Sequence, residues 1–469
     1  MIADRDIKSD IDSEAGKLAD KLDLSEKMEK LAERPAFVTL KDHKDDFQEN
    51  PKCRLINPAK SEMGHVSKAM LERIVASVCE ATKLNQWRNT ATVIEWFKNI
   101  ECKKQHRFIK FDICEFYPSI TESLLDKAIE FARASTDIPD FELDIIKHSR
   151  KSLLFSNSEP WIKKDGNLFD VTMGSFDGAE VCELVGLYLL NEVCQITGKA
   201  NTGLYRDDGL AAIRCSSARR FDRLRKDITE LFKRENLSIT IVANLEVTDF
   251  LDATFDLPND KYYPYRKPNN DPLYINVHSN HPASIMKELP NMIGRRVSDL
   301  SCNEDEFNKA KGLYENALKN AGHKHSLQYV RQARRRPRNR KLLWFNPPFS
   351  KSVKTDIGKM FLKMVRKHFT PQHPLYRVIN IHTVKLSYSC MPNMENIIKQ
   401  SNARVMTEPV PNRDGQCNCN NRDACPLDGS CLTSCVVYSA AVTAENIEHM
   451  YHGSTEGEFK SRYNVTMQL

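Results

Sequence analysis

Apolar positions change their spacing several times along the chain, and each change predicts an element. Phe108–Ile113 is a short apolar run with strand composition. Gly178–Ile196 is apolar nearly all round, which predicts a buried helix. Leu204–Ile213 reads as two strands interrupted by Arg206-Asp-Asp-Gly209. Over Ser217–Arg234, Phe221, Leu224, Ile228, Leu231 and Phe232 return at helical spacing with charges between them, the signature of an amphipathic helix. Leu237–Ile241 alternates, and so do Leu251, Ala253, Phe255 and Leu257. The order between 104 and 257 is strand, helix, two strands, helix, strand. That order predicts an α+β fold with helices on one face of a sheet.

The flanks are read in the same way. Arg34–Lys41 and Lys52–Asn57 predict two strands joined by a charged loop. Residues 66–99 predict a helix with Met70, Ile74, Val75, Val78 and Cys79 on one face. The first 34 residues are polar and helix-prone, with a weak stripe through Leu18, Leu22, Leu24, Met28 and Leu31. They begin abruptly, and further sequence before them is expected. Ala283 to about Lys319 turns helical again, and no internal repeat is present.

At 469 residues the chain has room for about two to four domains. Hydrophobic residues at 41% and charged residues at 28% are those of a chain with a core, which excludes disorder over most of its length. The first twenty residues are dense in charge and hold no signal-peptide core. The best apolar run, Val181–Leu190, contains Glu183 and is about half a membrane span. An intracellular location is therefore expected, and a nuclear one on account of the basic segment below. Fourteen cysteines are present: nine are scattered, which fits reduced thiols, and five crowd into Cys417–Cys435.

The net charge of +6 hides its distribution. Arg331–Lys367 holds thirteen Lys or Arg against the single acid Asp356, a surplus of 13 − 1 = +12, so the rest of the chain sums to 6 − 12 = −6. Such concentration implies a polyanion partner, and nucleic acid is the usual one. The densest part interleaves Arg334, Arg335, Arg336, Arg338, Arg340 and Lys341 with Trp344 and Phe345. Phosphate contact by the cations and stacking by the rings are expected, with a nuclear-localisation signal or a solvated linker as other readings.

Asp112 ends an apolar strand, and Asp207 and Asp208 sit at a tight turn between two others. Adjacent acids beside a core repel each other unless a cation neutralises them. Two hard cations held by such acids serve in-line phosphoryl transfer. Alone, Asp-Asp-Gly is also an ordinary hairpin tip with solvated acids. The pairing with Asp112 favours the catalytic reading.

Phe111–Ile120 (FDICEFYPSI) resembles motif A of reverse transcriptases, and Leu204–Leu210 (LYRDDGL) resembles their motif C. Phe250–Leu257 resembles the primer-side hairpin that follows. Tyr263–Asn269, Asn280–Pro282, Trp344–Ser350 and Ser387–Met394 further resemble the polymerase of Penelope-like retroelements, which is followed by a GIY-YIG endonuclease. The resemblance covers roughly residues 36 to 463. It implies a right-hand polymerase with fingers, ferredoxin-like palm and helical thumb. The implied activity is RNA-directed DNA synthesis from deoxynucleoside triphosphates on an RNA template and DNA primer, with two Mg²⁺ ions. Asp112 and Asp207, helped by the Ile113 carbonyl, would ligate the metals, and Asp208 would complete the acidic box. Tyr117 matches the gate against a 2′-hydroxyl. Arg54 matches the grip on the triphosphate, and Lys52 would assist it. Met173–Glu180 (MGSFDGAE) stands in the place of motif B without its usual Gln-Gly pair. There Gly174 and Gly178 would let the backbone approach the nascent base pair.

Cys417, Cys419, Cys425 and Cys431 give C-x-C-x5-C-x5-C, a spacing that suits a closed structural zinc site, while Cys435 is expected to be buried. Tyr438, Tyr451 and Arg462 stand where a GIY-YIG nuclease carries its tyrosines and arginine. No acid follows Arg462, so the resemblance implies a truncated remnant that does not cut DNA. The expected domains are an N-terminal helix and fingers (1–103), palm (104–265), thumb and basic connection (266–400), zinc-binding linker (401–435) and nuclease remnant (436–469). A non-catalytic nucleic-acid-binding remnant and a zinc-dependent interaction module are the rival readings.

Overall fold

The structure is a computed structural model. It describes the chain apart from residues 1, 4, 23–34, 42–46, 48, 50, 59–61, 157–158, 164–165, 215–216, 268–269, 331–341, 353–355, 391–397, 399–400, 402–416, 418, 420–424, 426, 428, 445–446 and 467–469. Two compact units result, Met1–Met391 and Pro392–Leu469.

The first unit begins with β1 (Ile2–Ala3), α1 (Arg5–Lys21), β2 (Phe37–Leu40), β3 (Cys53–Ile56), α2 (Glu62–Thr82), β4 (Asn85–Gln86) and α3 (Thr90–Lys98). The helix expected over 66–99 is thus two helices. Lys83 takes a left-handed φ of 54° that ends α2, and Asn85–Gln86 then leaves to pair with another strand.

Next come β5 (His106–Ile113), α4 (Phe116–Ser119), α5 (Glu122–Arg133), α6 (Asp140–His148), β6 (Leu154–Ser156), β7 (Glu159–Ile162) and α7 (Gly178–Thr197). They are followed by β8 (Thr202–Tyr205), β9 (Asp208–Arg214), α8 (Ala218–Arg234), β10 (Ile239–Leu245), β11 (Val247–Phe250), β12 (Ala253–Asp256) and β13 (Lys261–Pro264). The central sheet runs β10-β5-β9-β8-β4. Its first four strands are antiparallel neighbours, and β4 adds to β8 in parallel. Numbered within the repeat, their spatial order is 4-1-3-2, the ferredoxin-like split βαβ arrangement.

Alternation along β5 decides what each face meets. Ile109, Phe111 and Ile113 point into a core built with α2, α5, α7 and α8. Phe108 points the other way and packs with Leu210, Ala212, Trp87, Phe97, Phe250 and Phe255. The sheet is therefore apolar on both faces, and α7 is buried on nearly every side, as its composition requires. Each fully buried large apolar side chain contributes roughly 1.5–3 kcal/mol.

The unit continues with α9 (Ala283–Asp299) and α10 (Glu304–Asn320), which close over Ile293, Val297, Phe307, Leu318 and Leu327. The Asn303 side-chain oxygen accepts from Glu306 N at 2.9 Å and caps α10. After them, β14 (Leu343–Phe345), β15 (Pro348–Phe349), α11 (Ile357–His368), β16 (Val384–Leu386) and β17 (Ser389–Cys390) form two small parallel pairs. Among the described residues no helix is long and apolar enough to cross a membrane. The second unit contains the hairpin β18 (Val436–Ala444) and β19 (Ile447–Thr455), then α12 (Phe459–Thr466).

Candidate active site

The β8–β9 hairpin turns through Arg206 and Asp207 alone, and Asp208 is already the first residue of β9. Asp208 lies directly opposite Asp112 in the antiparallel ladder. Their Cα atoms are therefore roughly 4.5–5.5 Å apart, and their side chains leave the same face. Ile113 N donates to the Asp207 carbonyl at 3.0 Å and ties the turn to the end of β5. Three carboxylates thus meet at one edge of the sheet.

Gly209 was expected as a turn residue. It is instead a strand residue paired with Phe111, and a Cβ on it would lie 2.0 Å from the Phe111 ring. Glycine here lets the aromatic ring seat under the acidic pair. Burial raises the Asp208 carboxyl, and the charges of Asp207 and Asp112 raise it further, to about 6. Lys110 and Lys267 oppose the rise. Lys110 sits two residues before Asp112 on the same face, with its ammonium fixed to the Asp249 carbonyl at 2.7 Å.

A cleft of about 980 Å³ gathers Arg54, Asp112, Ile113, Tyr117, Gly174, Asp207 and Asp208. Lys41 lines it beside Arg54, whereas Lys52 does not. Lys110, Arg88 and Lys267 also line it and were not singled out from the sequence. An isolated lysine carries no local signal, and only its place on a face gives it meaning.

Tyr117 lies on α4, entered through Glu115 at a left-handed φ of 48°. Burial pushes its phenol well above the ordinary range, so it stays protonated. Gly178 opens α7 beside it, where a Cβ would come within 3.7 Å of Tyr117 Cε1 and 2.8 Å of the Thr172 carbonyl. Gly174 has a φ of 113°, and a Cβ there would lie 2.5 Å from the Asn57 carbonyl oxygen at the end of β3. Both glycines are thus set by close approach. Arg334, Arg335, Arg336, Arg338, Arg340 and Lys341 lie outside the described residues.

In the second unit the sulfurs of Cys417, Cys419, Cys425 and Cys431 all lie within 4.8 Å of one another. Backbone N–H groups of Leu427 and Gly429 lower the Cys425 thiol to about 7, while hydrogen bonding with Cys417 pushes Cys419 up to about 12. Four soft thiols with a stabilised thiolate fit a tetrahedral zinc ion. Cys435, expected to be buried, is exposed, with a left-handed φ of 56°, and its thiol lies 3.5 Å from the Glu456 carbonyl. Tyr438 Oη accepts from Arg462 Nε at 2.8 Å, and the Tyr438 and Tyr451 ring centroids are 6.2 Å apart. Lys460 N donates to the Cys431 carbonyl at 2.7 Å, joining α12 to the cysteine segment.

No family model matches this chain, and no curated protein matches it. Among solved structures it is similar to apo telomerase from Candida tropicalis truncated from the C-terminal domain, at 13% identity and a TM-score of 0.37, over 55% of this chain and 60% of that one. It is similar to the RNA-dependent RNA polymerase of a human picorbirnavirus at 10% identity and a TM-score of 0.40, over 61% of this chain and 58% of that one. Apo telomerase from Candida tropicalis gives 12% identity and a TM-score of 0.39, over 68% of this chain and 62% of that one. The chain spans about three fifths of the length of these structures. The likenesses are remote, and the functional reading stands on the site's own geometry.

Proposed function

We propose that the first unit is a template-directed nucleotidyltransferase, an RNA-directed DNA polymerase of the kind carried by Penelope-like retroelements. The carrying observation is the meeting of Asp112 with Asp207 and Asp208 in a cleft that Arg54 and Tyr117 also line. The donor set fits hard divalent cations: it is all oxygen, and its charges are crowded enough to raise Asp208. Asp112 and Asp207, with the Ile113 carbonyl, would hold two Mg²⁺ ions, which supply charge stabilisation to the attacking and leaving oxygens. Arg54 and Lys41 offer positive charge to a triphosphate. Tyr117 presents a neutral ring beside Gly178, where a sugar edge can be sorted by size. Gly174 leaves backbone rather than side chain toward the base pair.

The second unit is read as a zinc-binding segment leading to a GIY-YIG remnant. Its support is the four-sulfur cluster and the Tyr438–Arg462 hydrogen bond. The segment Arg334–Lys341 is assigned to nucleic-acid contact on its charge, and a nuclear location follows from that reading. The deciding experiment is primer extension on an RNA template with deoxynucleotides, with and without Mg²⁺. Metal-dependent extension supports the reading. No extension by a protein that binds primer and template overturns it in favour of a binding remnant.

A further inference from the structure

Beneath the loop that connects β7 to α7 lies a buried polar cluster that neither the motifs nor the cleft account for. Arg150 is 1% exposed and is among the largest fully buried side chains. Its guanidinium donates to Asp177 Oδ1, and Asp177 is also 1% exposed. The other carboxylate oxygen, Oδ2, accepts from Ser67 Oγ on α2 at 2.5 Å. Asp177 occupies the N-cap position of α7, yet its side chain makes no capping bond. An aspartate there ordinarily caps its own helix. Here both oxygens are turned away from the helix and into the cluster. Arg150 Nε has no hydrogen-bond partner among the described residues, so the guanidinium is placed for Asp177 at the expense of its own pairing.

The same segment holds the other end of the loop. Asn57 donates from Nδ2 to Ser152 Oγ at 3.0 Å and to the Leu153 carbonyl at 2.8 Å. Asn57 N donates to the Met173 carbonyl at 2.9 Å. Residues 150–153 therefore anchor Met173 through Asn57 and Asp177 through Arg150. At and beside the first anchor, Thr172–Ser175 line the same cleft as the carboxylates, while Arg150 and Asp177 do not. Just beyond, Gly178 sets the spacing to Tyr117, whose Cε1 a Cβ at that position would meet at 3.7 Å.

We infer that Arg150 is a positioning residue for the incoming nucleotide: through Asp177 it fixes the loop Met173–Gly178 and the first turn of α7, and so the place of the Tyr117 ring. This rests on the polymerase reading of the cleft. It predicts a loss in nucleotide fit and sugar discrimination rather than in the chemical step. A purely structural pair would give a different result, because replacing a buried ion pair with apolar residues of similar size is often neutral for stability.

The test is steady-state primer extension by the full chain carrying Arg150→Met with Asp177→Leu. The expected result is a KM for deoxynucleotide raised about tenfold, a preference for deoxy- over ribonucleotide reduced about tenfold and kcat within about threefold of the parent. Primer–template affinity should be unchanged. A folded double variant with parental KM and parental sugar preference overturns the inference. Should that variant fail to fold, Ser67→Ala removes one anchor only, and a shift of about twofold to threefold in the same two quantities is expected; parental values overturn it equally. If the parent itself extends no primer, the polymerase reading fails instead. Amide hydrogen exchange over 172–176 then decides the positioning claim, with faster exchange in the variants supporting it and unchanged exchange overturning it.

Discussion

The acidic cleft and the cysteine–tyrosine tail are built on opposite plans. In the cleft, Asp112 and Asp208 are far apart in sequence and meet only because β5 and β9 pair in one register. A slip of one residue would send one of them to the other face. In the tail the four cysteines fall within fifteen residues, and Tyr438 reaches Arg462 across a single hairpin. The first site depends on a two-faced core, and the second on short loops and whatever they bind. Damage to the core should therefore disable the cleft, while loss of zinc from the four sulfurs should disable the tail alone.

The sharpest way to break this contrast is Asp207→Asn. It removes one charge from the acidic edge without changing volume, so primer extension should fall by at least about 1,000-fold, roughly 4 kcal/mol in transition-state stabilisation. Filter binding of primer–template should be unaffected. Extension at the parental rate would show that the cleft is not where the chemistry occurs.

Cys425→Ser addresses the other plan. Removing the thiol that the Leu427 and Gly429 amides favour as thiolate should weaken zinc affinity by more than about 100-fold, since even outer-shell changes cost about 10–100-fold. Metal content by atomic absorption should drop below one equivalent while extension stays parental. Loss of extension along with the metal would mean that the two units are not independent.

Gly209→Ala should cost about 1–3 kcal/mol, because its methyl group would enter the Phe111 ring and the core must give way. Thermal melting of the first unit should fall by several degrees. An unchanged melt would show that the ring moves aside freely.

The smallest expected effect is one of pH at α1. Glu14 accepts from Lys151 and from His148 Nδ1, and hydrogen bonding to Lys151 holds its carboxyl below the ordinary value. Burial holds the His148 imidazole below its ordinary value, with Glu14 opposing. Both folded states favour the deprotonated form, so their contribution is present above the unfolded values. It is lost as pH falls below 6.5 for His148 and then below 4.5 for Glu14. Exposure screens Glu14, so protection of α1 amides should fall only about twofold to fivefold between pH 8 and pH 5. Greater protection at pH 5 would mean that the Glu14–His148 charge pairing outweighs burial.

Which features were legible in the sequence follows from how local their cause is. The β5 strand, the β8–β9 hairpin and α8 each carry their pattern within ten to twenty residues, and their faces follow from alternation or helical spacing. The split at Lys83 was not legible, because Asn85–Gln86 leaves the helix to pair with β8 more than a hundred residues later. Lys41 and Lys52 look alike in sequence, and only the pairing of β2 with β3 and its place at the cleft separates them. Arg150 and Asp177 look like ordinary surface charges until both are seen under the loop. Cys435 was misjudged because the apolar residues after it belong to a two-stranded hairpin with exposed positions, such as Val437, and not to a core.

The tip of the β8–β9 hairpin has a consequence for how this chain can change. Arg206 holds a φ of 55°, a conformation that glycine or asparagine adopts at little cost and that a long side chain adopts at about 1 kcal/mol or more. The turn next to Asp207 is therefore less stable than it could be. Its guanidinium is a positive neighbour to the groups beneath, offsetting the upward pull on Tyr117 and Glu183. Selection for stability alone would replace the arginine, and selection for the local field would keep it. Position 206 is thus a place where the two pressures can be separated, and Arg206→Asn is the substitution that would let thermal tolerance rise while the charge balance around Tyr117 and Glu183 drifts.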